Sequence, residues 1–433
     1  MTTTRKHRVT LRLALLLWSS GWAAAAPAQP LLNLAFHHLD REKGLSQGTC
    51  PFISRDSKGF VWIGTIDGLN RFDGQHVKVY RPNPSQTHAL VGNYLSSACY
   101  EDPRNGDLWF TTYNAVHRYV RAYDHFDTIQ LNNQHHERQV EDYYAFHFDV
   151  RQGKLWLRVG DAKSGQGFLH LFDTRTGRDS ILCPLPGARS TPILDKSGNP
   201  VQVLCSVYNT PGLELIDLRR QGAAQQYLGQ GKQAAFVQET YAESDTLVWL
   251  ALSTGIAAFN PKTGASTLYP EQAGKPIGYS WSVQAYGPRL LFVGTRKNGL
   301  WVFDRQTRRY TQQFLHEPED PYSLLDNEVQ NLFIDRQENL WVAHWKYGLS
   351  YVNLRKNKFL APRSGKNYSF WQFTPGPDGN IWASDPDSGL YVFRPDGRLV
   401  DTLNRFFPEI GRRLSFGNRL YFPKGSKIGR AHV

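Results

Sequence analysis

The sequence predicts an all-β fold: a β-propeller of four-stranded antiparallel blades, with one seven-bladed propeller plus the start of a second. Three observations support this. A large apolar residue, most often tryptophan, recurs with a period of roughly 40 to 49 residues. Aromatic residues make up 13% of the chain and are accompanied by 37 glycines and 24 prolines, which favours short strands joined by tight turns. Each repeat also alternates apolar and polar residues with a period of two.

The beginning of the chain is predicted to be a signal peptide. Basic residues between Arg5 and Arg12 precede the apolar run Leu13–Trp18, and the alanines Ala23–Ala26 end it. The apolar run is far shorter than the roughly 20 residues that a membrane-spanning helix needs. We therefore expect residues 1–28 to be removed and the mature chain to be periplasmic.

Charge and cysteine content exclude several classes of partner and cofactor. The formal net charge is +12, but part of it lies in the signal segment and no run of five basic residues occurs, so nucleic acid is not expected as a partner. Cys50, Cys99, Cys183 and Cys205 show neither close pairing nor CxxC spacing, which favours buried thiols over a zinc site. The histidines lack HExxH spacing, and we expect no metal site and no cofactor.

The recurring apolar residues are interpreted as anchors that pack between neighbouring sheets. Indole rings also stack on sugars, but one anchor per repeat at the same place favours core packing, and truncation of one should cost about 3–5 kcal/mol. Val203, Phe292 and Tyr421 take this place in three repeats. The tryptophan anchors are Trp62, Trp109, Trp156, Trp249, Trp341 and Trp382.

The repeat reads as four strands. In one repeat, an apolar strand at Val329–Ile334 precedes a polar turn, a second strand at Leu340–Ala343, a glycine, a third strand, and a fourth strand around Phe359. Glycine at the second turn permits a positive φ. A parallel β-helix would need a much shorter period, and leucine-rich repeats would show leucine and asparagine ladders. The turn glycines are Gly68, Gly255, Gly299, Gly348 and Gly389.

Three segments carry a resemblance to a known family. FHHLDREKGLSQG at Phe36–Gly48, VWIGTIDGLNRFDG at Val61–Gly74 and HEPEDPYSLLDNEV at His316–Val329 resemble the two-component regulator propeller repeat. This repeat occurs in periplasmic sensor regions of hybrid histidine kinases and of related one-chain regulators. The resemblance covers residues 34 to about 422. It implies a second propeller, a membrane span and an output domain downstream, and signalling as a homodimer; membrane contact is expected only through that downstream segment.

The domain division follows from the repeats. Residues 34–362 are predicted to form the first propeller, and residues 363–427 the start of a second, truncated one. Residues 428–433 match a reading frame of a common sequencing adapter and are interpreted as an artefact.

Three local features of the repeats lead to further expectations. Leu34–Leu39 is expected to be the fourth strand of repeat seven and to close the ring, while Phe359–Pro362 passes to the second ring. Pro200-Val201 stands where Leu-Trp is expected, which predicts an irregular second strand in repeat four.

One rim of the first propeller is the candidate binding site. The loops between strands two and three, and the links between blades, should share one face, where aromatic and cationic residues gather. Such a mixture suits a small carbohydrate or another polar ligand, and an oligosaccharide is the leading candidate. The rim is also expected to include Asp67, Asn114, Tyr143, Asn298, Tyr347, Trp371 and Asp385. The predicted ligand-binding residues are Tyr94, Tyr113, Tyr144, Tyr279, Trp281, Arg296, Lys297, Trp345 and Lys346.

Three functions are compatible with this pattern. The first is ligand sensing, with output through parts that this sequence lacks. The second is a lectin-like or protein-interaction propeller without signalling. The third is a glycosidase or polysaccharide lyase, which would need two placed carboxylates or a base with a neutralising cation. Asp67 and Asp385 belong to repeats one and eight, so they do not form such a pair, and we expect this chain not to be an enzyme.

Overall fold

The computed structural model contains an all-β chain in which nearly every described residue lies in a strand or in the turn after one. The described residues are 32, 34–83, 85–95, 97, 99–113, 115–129, 131, 142–149, 151–160, 167–185, 187, 189–206, 210–220, 223–228, 235–355, 372–376, 379–385, 389–394, 397–402, 414–416, 419–424 and 427–431. The predicted signal peptide and the predicted strand Phe359–Pro362 lie outside them. A single 3-10 turn, Leu218–Arg220, is the helical element of this part of the chain.

The first half of the chain contains one lone strand and then four sheets. The lone strand is β1 (His37–Leu39). Sheet 1 contains β2 (Phe52–Arg55), β3 (Val61–Thr65), β4 (Gly68–Phe72) and β5 (Val77–Tyr80). Sheet 2 contains β6 (Tyr100–Glu101), β7 (Leu108–Thr111), β8 (Val116–Val120) and β9 (His125–Ile129). Sheet 3 contains β10 (Asp142–Asp149), β11 (Lys154–Gly160), β12 (Gly167–Asp173) and β13 (Asp179–Pro184). Sheet 4 contains β14 (Arg189–Leu194), β15 (Pro200–Ser206), β16 (Leu213–Asp217) and β17 (Ala223–Tyr227).

The second half continues the same pattern. Sheet 5 contains β18 (Val237–Ala242), β19 (Val248–Leu252), β20 (Gly255–Phe259) and β21 (Ser266–Tyr269), and a short hairpin of β22 (Glu271–Gln272) and β23 (Lys275–Pro276) follows it. Sheet 6 contains β24 (Ser280–Tyr286), β25 (Leu290–Thr295), β26 (Leu300–Asp304) and β27 (Arg309–Phe314). Sheet 7 contains β28 (Val329–Ile334), β29 (Asn339–His344) and β30 (Leu349–Asn353). Sheet 8 contains β31 (Gln372–Pro375), β32 (Ile381–Asp385), β33 (Gly389–Phe393) and β34 (Leu399–Thr402). A three-stranded sheet contains β35 (Leu414–Phe416), β36 (Arg419–Lys424) and β37 (Lys427–Ala431).

Sheet 7 takes its fourth strand from the beginning of the chain. Strand β1 pairs antiparallel with β30, with His37 opposite Tyr351 and Leu39 opposite Leu349. This is the closure that the sequence predicted. Sheet 7 also packs against sheet 1, where Trp341 and Ile53 belong to one buried cluster. The seven sheets therefore form a closed ring, and closure removes the exposed edge that β30 would otherwise present.

The first strands of the sheets surround the axis of the ring. Strand β18 packs against β24, β24 against β28, and β28 against β2. Because each four-stranded sheet is antiparallel and its strands lie in chain order, the fourth strands form the outer edge. The described residues thus adopt the fold class predicted from the sequence, an all-β propeller.

All nine anchors lie in the second strand of their sheet. Trp62 is fully buried, and Trp109, Trp249, Trp341 and Trp382 are buried as well, which matches packing between sheets. Trp156 differs, because it is only partly buried at the edge of the cluster between sheets 3 and 4.

Repeat four is more regular than predicted. Strand β15 begins at Pro200 itself and pairs on both sides, with Val203 opposite Pro192 and Ile216. A bulge lets Val201 loop out opposite the Ile193–Leu194 step, so the proline sits at the strand start, where no ladder hydrogen bond from its nitrogen is needed. The expected irregularity is therefore present at Pro200-Val201 and confined to this bulge, while the rest of β15 pairs regularly.

The cysteines are free thiols, as expected. Cys50, Cys183 and Cys205 are buried, and Cys99 is partly buried. Burial raises the pKa of the Cys50 and Cys205 thiols to about 12, so both stay protonated and act as small apolar side chains. In the described part of the chain, no helix has the length and apolarity needed to cross a membrane.

Candidate functional site

The strand order determines which loops share a face of the ring. In a four-stranded antiparallel sheet, the loop between strands two and three lies at the same end as the start of strand one. The link that enters each sheet therefore meets the two-to-three loop of that sheet. These are the loops in which the sequence placed the candidate ligand-binding residues.

Among the loops that the structure describes, backbone hydrogen bonds join two-to-three loops to the neighbouring links along this face. These hydrogen bonds are of two kinds. In the first kind, a backbone N–H at the start of a two-to-three loop donates to the link that enters the same sheet. In the second kind, the backbone N–H of the glycine that ends the loop donates to the link that leaves that sheet. The first kind includes Tyr113 to Tyr94, Ser253 to Phe236, Arg296 to Tyr279 and Trp345 to Glu328. The second kind includes Gly68 to Asn93, Gly212 to Ala235, Gly299 to Asn327 and Gly348 to Gly48. The backbone of the face is thus fixed independently of its side chains.

Four of the predicted residues form one group, here called the sheet-6 cluster: Tyr279, Trp281, Arg296 and Trp345. The Arg296 guanidinium carbon lies 5.8 Å from the centre of the Tyr279 ring and 5.9 Å from that of Trp281. The rings of Trp281 and Trp345 are 5.4 Å apart at an interplanar angle of 42°. The cluster therefore joins sheets 6 and 7 through aromatic and cation–π contacts.

Neighbouring segments hold the cluster in place while leaving it accessible. The Thr49 hydroxyl donates to the Trp345 carbonyl at 2.6 Å, and the Asn298 amide donates to the Ile277 carbonyl at 2.9 Å. Trp345 remains 39% exposed, and Arg296 is exposed. The cluster offers an aromatic surface next to a guanidinium, which can bind a polar ring through C–H contacts and hydrogen bonds to oxygen.

Two more predicted residues meet at sheet 2. The rings of Tyr94 and Tyr113 stack with centroids 4.4 Å apart at an interplanar angle of 11°, and Tyr113 is 40% exposed. This pair lies at a different sheet from the sheet-6 cluster, so the aromatic residues of the rim form two groups. Lys297 and Lys346 are exposed on the loops beside the sheet-6 cluster and add positive charge there.

The remaining rim residues fall in other places. Tyr143 and Tyr144 were predicted to lie in a link, but β10 begins at Asp142, so both belong to the innermost strand; Tyr143 is buried and Tyr144 packs against the core between sheets 3 and 4. Asp67 pairs with Arg81, with Nε and Oδ2 3.1 Å apart. Asn298 orders the link before sheet 6, and Tyr347 is 56% exposed. Asp385 ends β32, and Asn114 and Trp371 lie outside the described residues.

A carboxyl group on an innermost strand was not predicted from the sequence. The Val283 N–H of β24 donates to Glu239 of β18 at 3.1 Å, two residues along β24 from Trp281. Burial raises the pKa of Glu239 to about 7, although Arg189 and the Val283 N–H favour its charged form. The sequence hardly indicates that this carboxyl group is buried, because Glu239 lies among other polar residues of an ordinary strand.

Three further residues converge on the outer side of the ring, although the sequence gave no metal-binding spacing. His88, His125 and Asp127 place one ligand atom each within 4.8 Å of one another. His125 and Asp127 alternate on strand β9 and so share a face, which is a recognisable signal, but His88 comes from the link between sheets 1 and 2.

The comparisons with known proteins concern mainly the fold. No protein-family model matches the chain. The extracellular domain of the hybrid two-component system BT3049 of B. thetaiotaomicron is similar, with a TM-score of 0.67 and 20% identity, over 92% of this chain and 53% of that one. The chain therefore shares the fold of this extracellular domain. The extracellular domain of BT4673 of the same organism, described as a one-component system, has a TM-score of 0.54 at 20% identity, over 92% of this chain and 52% of that one.

A curated protein matches a short part of the sequence. Histidine kinase P4 of Formosa agariphila is 41% identical over 58 residues, which are 13% of this chain and 4% of that protein. The chain therefore spans about half the length of the solved domains and a small part of the kinase. These likenesses are consistent with the resemblance to two-component regulator propeller repeats.

Proposed function

We propose that this chain is the ligand-sensing region of a two-component-type signalling protein, exported to the periplasm and not itself an enzyme. Its ligand is an oligosaccharide bound at the sheet-6 cluster. Binding shifts the population of a signalling state that further domains of a homodimeric protein read out. For this to occur, the ligand must bind the two states with different affinity.

The observation that carries the proposal is the arrangement of Trp281, Trp345 and Arg296. Two indole rings 5.4 Å apart present apolar faces beside a guanidinium. Trp281 was predicted to lie in a link but is the second residue of strand β24, whereas Arg296 and Trp345 lie on loops whose backbone is hydrogen-bonded to the neighbouring links. A pre-ordered site binds with little entropic cost from loop ordering. Exposed cations at Lys297 and Lys346 favour a ligand that carries carboxylate groups.

The similar proteins also support a sensing role. The two solved domains are the extracellular parts of regulatory systems, and the curated match is a histidine kinase. That likeness, together with the export signal in the sequence, supports a periplasmic location and a sensing function for this chain.

The test is a binding screen on the whole chain with neutral and uronic-acid-containing oligosaccharides, by thermal shift and then by calorimetry. A ligand should raise the melting temperature of the wild type. Trp345→Ala and Arg296→Gln should weaken its binding roughly tenfold or more, since tenfold corresponds to about 1.4 kcal/mol. Tyr123→Ala is the matched control, because Tyr123 is a 75% exposed aromatic residue in the turn between β8 and β9, away from the sheet-6 cluster.

Two outcomes would contradict the proposal. One is a panel in which no oligosaccharide changes the melting temperature. The other is binding that Trp345→Ala leaves unchanged while Tyr94→Ala abolishes it, which would move the site to sheet 2. Binding without any change in a reconstituted full-length signalling assay would favour the lectin-like alternative. Release of products from a polysaccharide, abolished by one rim substitution, would favour the enzyme.

A further inference from the structure

Three potential ligands of a metal ion meet at the outer edge of sheet 2, away from the sheet-6 cluster. Asp127 Oδ1 lies 3.0 Å from His88 Nδ1 and 3.4 Å from His125 Nε2. The two imidazole rings are stacked, with centroids 4.5 Å apart at 25°. Tetrahedral zinc with bonds of about 2.0–2.1 Å places its ligand atoms about 3.3 Å apart, which is close to both distances.

The polypeptide holds these side chains in place from both sides. His125 and Asp127 project from the same face of edge strand β9. The Phe126 N–H between them donates to the His88 carbonyl at 2.9 Å, so the link before sheet 2 lies along this edge. His88 has a φ of +62°, which a residue other than glycine or asparagine adopts at a cost.

The surrounding charges leave Asp127 available to a cation. Arg118 is directly opposite Asp127 on β8, but its guanidinium donates to Asp107 at 2.6 and 2.8 Å. The Tyr123 ring stacks near His125, with centroids 5.6 Å apart, and covers one side of it. The ligand side chains are 57%, 31% and 29% exposed for His88, Asp127 and His125, so an ion can enter from solvent.

We propose that His88, His125 and Asp127 form a binding site for zinc or a similar divalent transition metal. Two imidazoles and one carboxylate suit zinc, with water in the fourth position. The bound ion would fasten the link, which also carries Tyr94, to the outer edge of sheet 2.

The experiment titrates Zn²⁺ into the whole chain after chelator treatment, with a chromophoric chelator as competitor. The wild type should bind one ion. His125→Ala and Asp127→Asn should each weaken binding by roughly 100-fold, and His88→Asn should do the same while asparagine tolerates the positive φ. His76→Ala is the matched control, because His76 lies 3.7 Å from Asp73 on the surface. It should bind as the wild type does.

A second measurement separates binding from folding. Each variant is melted with and without Zn²⁺; the wild type and the His76 variant should gain stability with the ion, and the three site variants should melt at one temperature in both conditions. Cobalt substitution should give the visible absorption of a tetrahedral site in the wild type only. Weak binding in the millimolar range, or equal affinity in His125→Ala and the wild type, would overturn the proposal.

Discussion

The carboxylate of Asp335 in sheet 7 accepts a hydrogen bond from the guanidinium of Arg55 in sheet 1, with Nη1 and Oδ2 2.5 Å apart. The same oxygen accepts the indole N–H of the anchor Trp341 at 3.2 Å. One buried carboxylate thus links the anchor of sheet 7, the sheet to which it belongs, to an arginine of the next sheet in the ring. The arrangement recurs at two further interfaces: Asp56 with Trp62 and Arg121, and Glu243 with Trp249 and Arg305.

Asp335→Asn should lower the free energy of unfolding by about 2–3 kcal/mol at pH 7, because it leaves the partly buried Arg55 without its counter-charge. Burial opposes ionisation of Asp335, but hydrogen bonds from Asn339, Arg55 and Trp341 outweigh it and hold its pKa below the usual value. Because the pKa of Asp335 is lower in the folded state than its value of about 3.9 in the unfolded state, the ionised carboxylate stabilises the fold at pH values above about 3.9. This stabilisation is lost as the pH falls below about 3.9 and the carboxylate becomes protonated. Urea unfolding should therefore show the gap in stability between the variant and the wild type closing as the pH falls below about 3.9.

Asp195→Asn is the control for this variant. Asp195 occupies the same turn of sheet 4 and accepts the N–H groups of Ser197 and Asn199, as Asp335 accepts those of Gln337 and Asn339. This variant measures the loss of the hydrogen bonds within the turn, separately from the loss of a contact between sheets such as that of Asp335 with Arg55. Equal losses in the two variants would show that the Arg55 contact contributes nothing measurable.

Trp62→Phe should destabilise the chain more than Trp109→Phe, by about 1–2 kcal/mol. Both anchors are buried and lose the same volume. The Trp62 indole N–H donates to Asp56 at 2.8 Å, whereas the Trp109 indole nitrogen has no hydrogen-bond partner among the described residues. Chemical denaturation of both variants measures the difference, and a reversed order would contradict the role of the acid.

Gly348→Ala should weaken ring closure. Gly348 has a φ of +106°, and a Cβ there would lie 2.4 Å from the Leu39 carbonyl oxygen of the closing strand. Gly74 has the same φ of +106° with open space around it, so Gly74→Ala has the backbone strain alone, about 1 kcal/mol. Hydrogen exchange at His37–Leu39 should accelerate only in the Gly348 variant; equal exchange in both would contradict the clash.

Glu239→Gln should change how stability depends on pH. The folded-state pKa of Glu239 is about 7 because of burial, above an unfolded value of about 4.3. The protonated form therefore contributes stability that is fully present below pH 4.3 and is lost as the pH rises through 7. The variant stays neutral, so its unfolding midpoint should rise relative to that of the wild type between pH 4.5 and 8. Parallel profiles would show that Glu239 titrates normally.

The repeat framework could be predicted from the sequence because its signals are local and periodic. Strand β28 has the predicted bounds Val329–Ile334, and every anchor from Trp62 to Tyr421 lies in a second strand. Closure was also predictable, since Leu34–Leu39 reads as a strand that lacks the other three of its repeat. Pro200-Val201 correctly marked an irregularity, but the sequence did not show that a single bulge at the strand start would contain it.

The candidate sites were less predictable because they depend on contacts between distant segments. The periodicity predicted that Trp281 and Trp345 lie on the same rim. That their indole rings are 5.4 Å apart depends on how sheets 6 and 7 pack together in the propeller. Tyr144 was misplaced because no turn residue marks where β10 begins. The convergence of His88 with β9 depends on the path of a long link, which no short motif encodes.

The pairing of β1 with β30 has a consequence for biogenesis. His37 is synthesised early, yet its partner Tyr351 follows more than three hundred residues later. Until then, neither β1 nor the growing end of the chain has its partner strand, and the ring stays open. Once β1 has paired with β30, the early part of the chain is held to sheet 7, and Trp345 follows directly after strand β29 of that sheet.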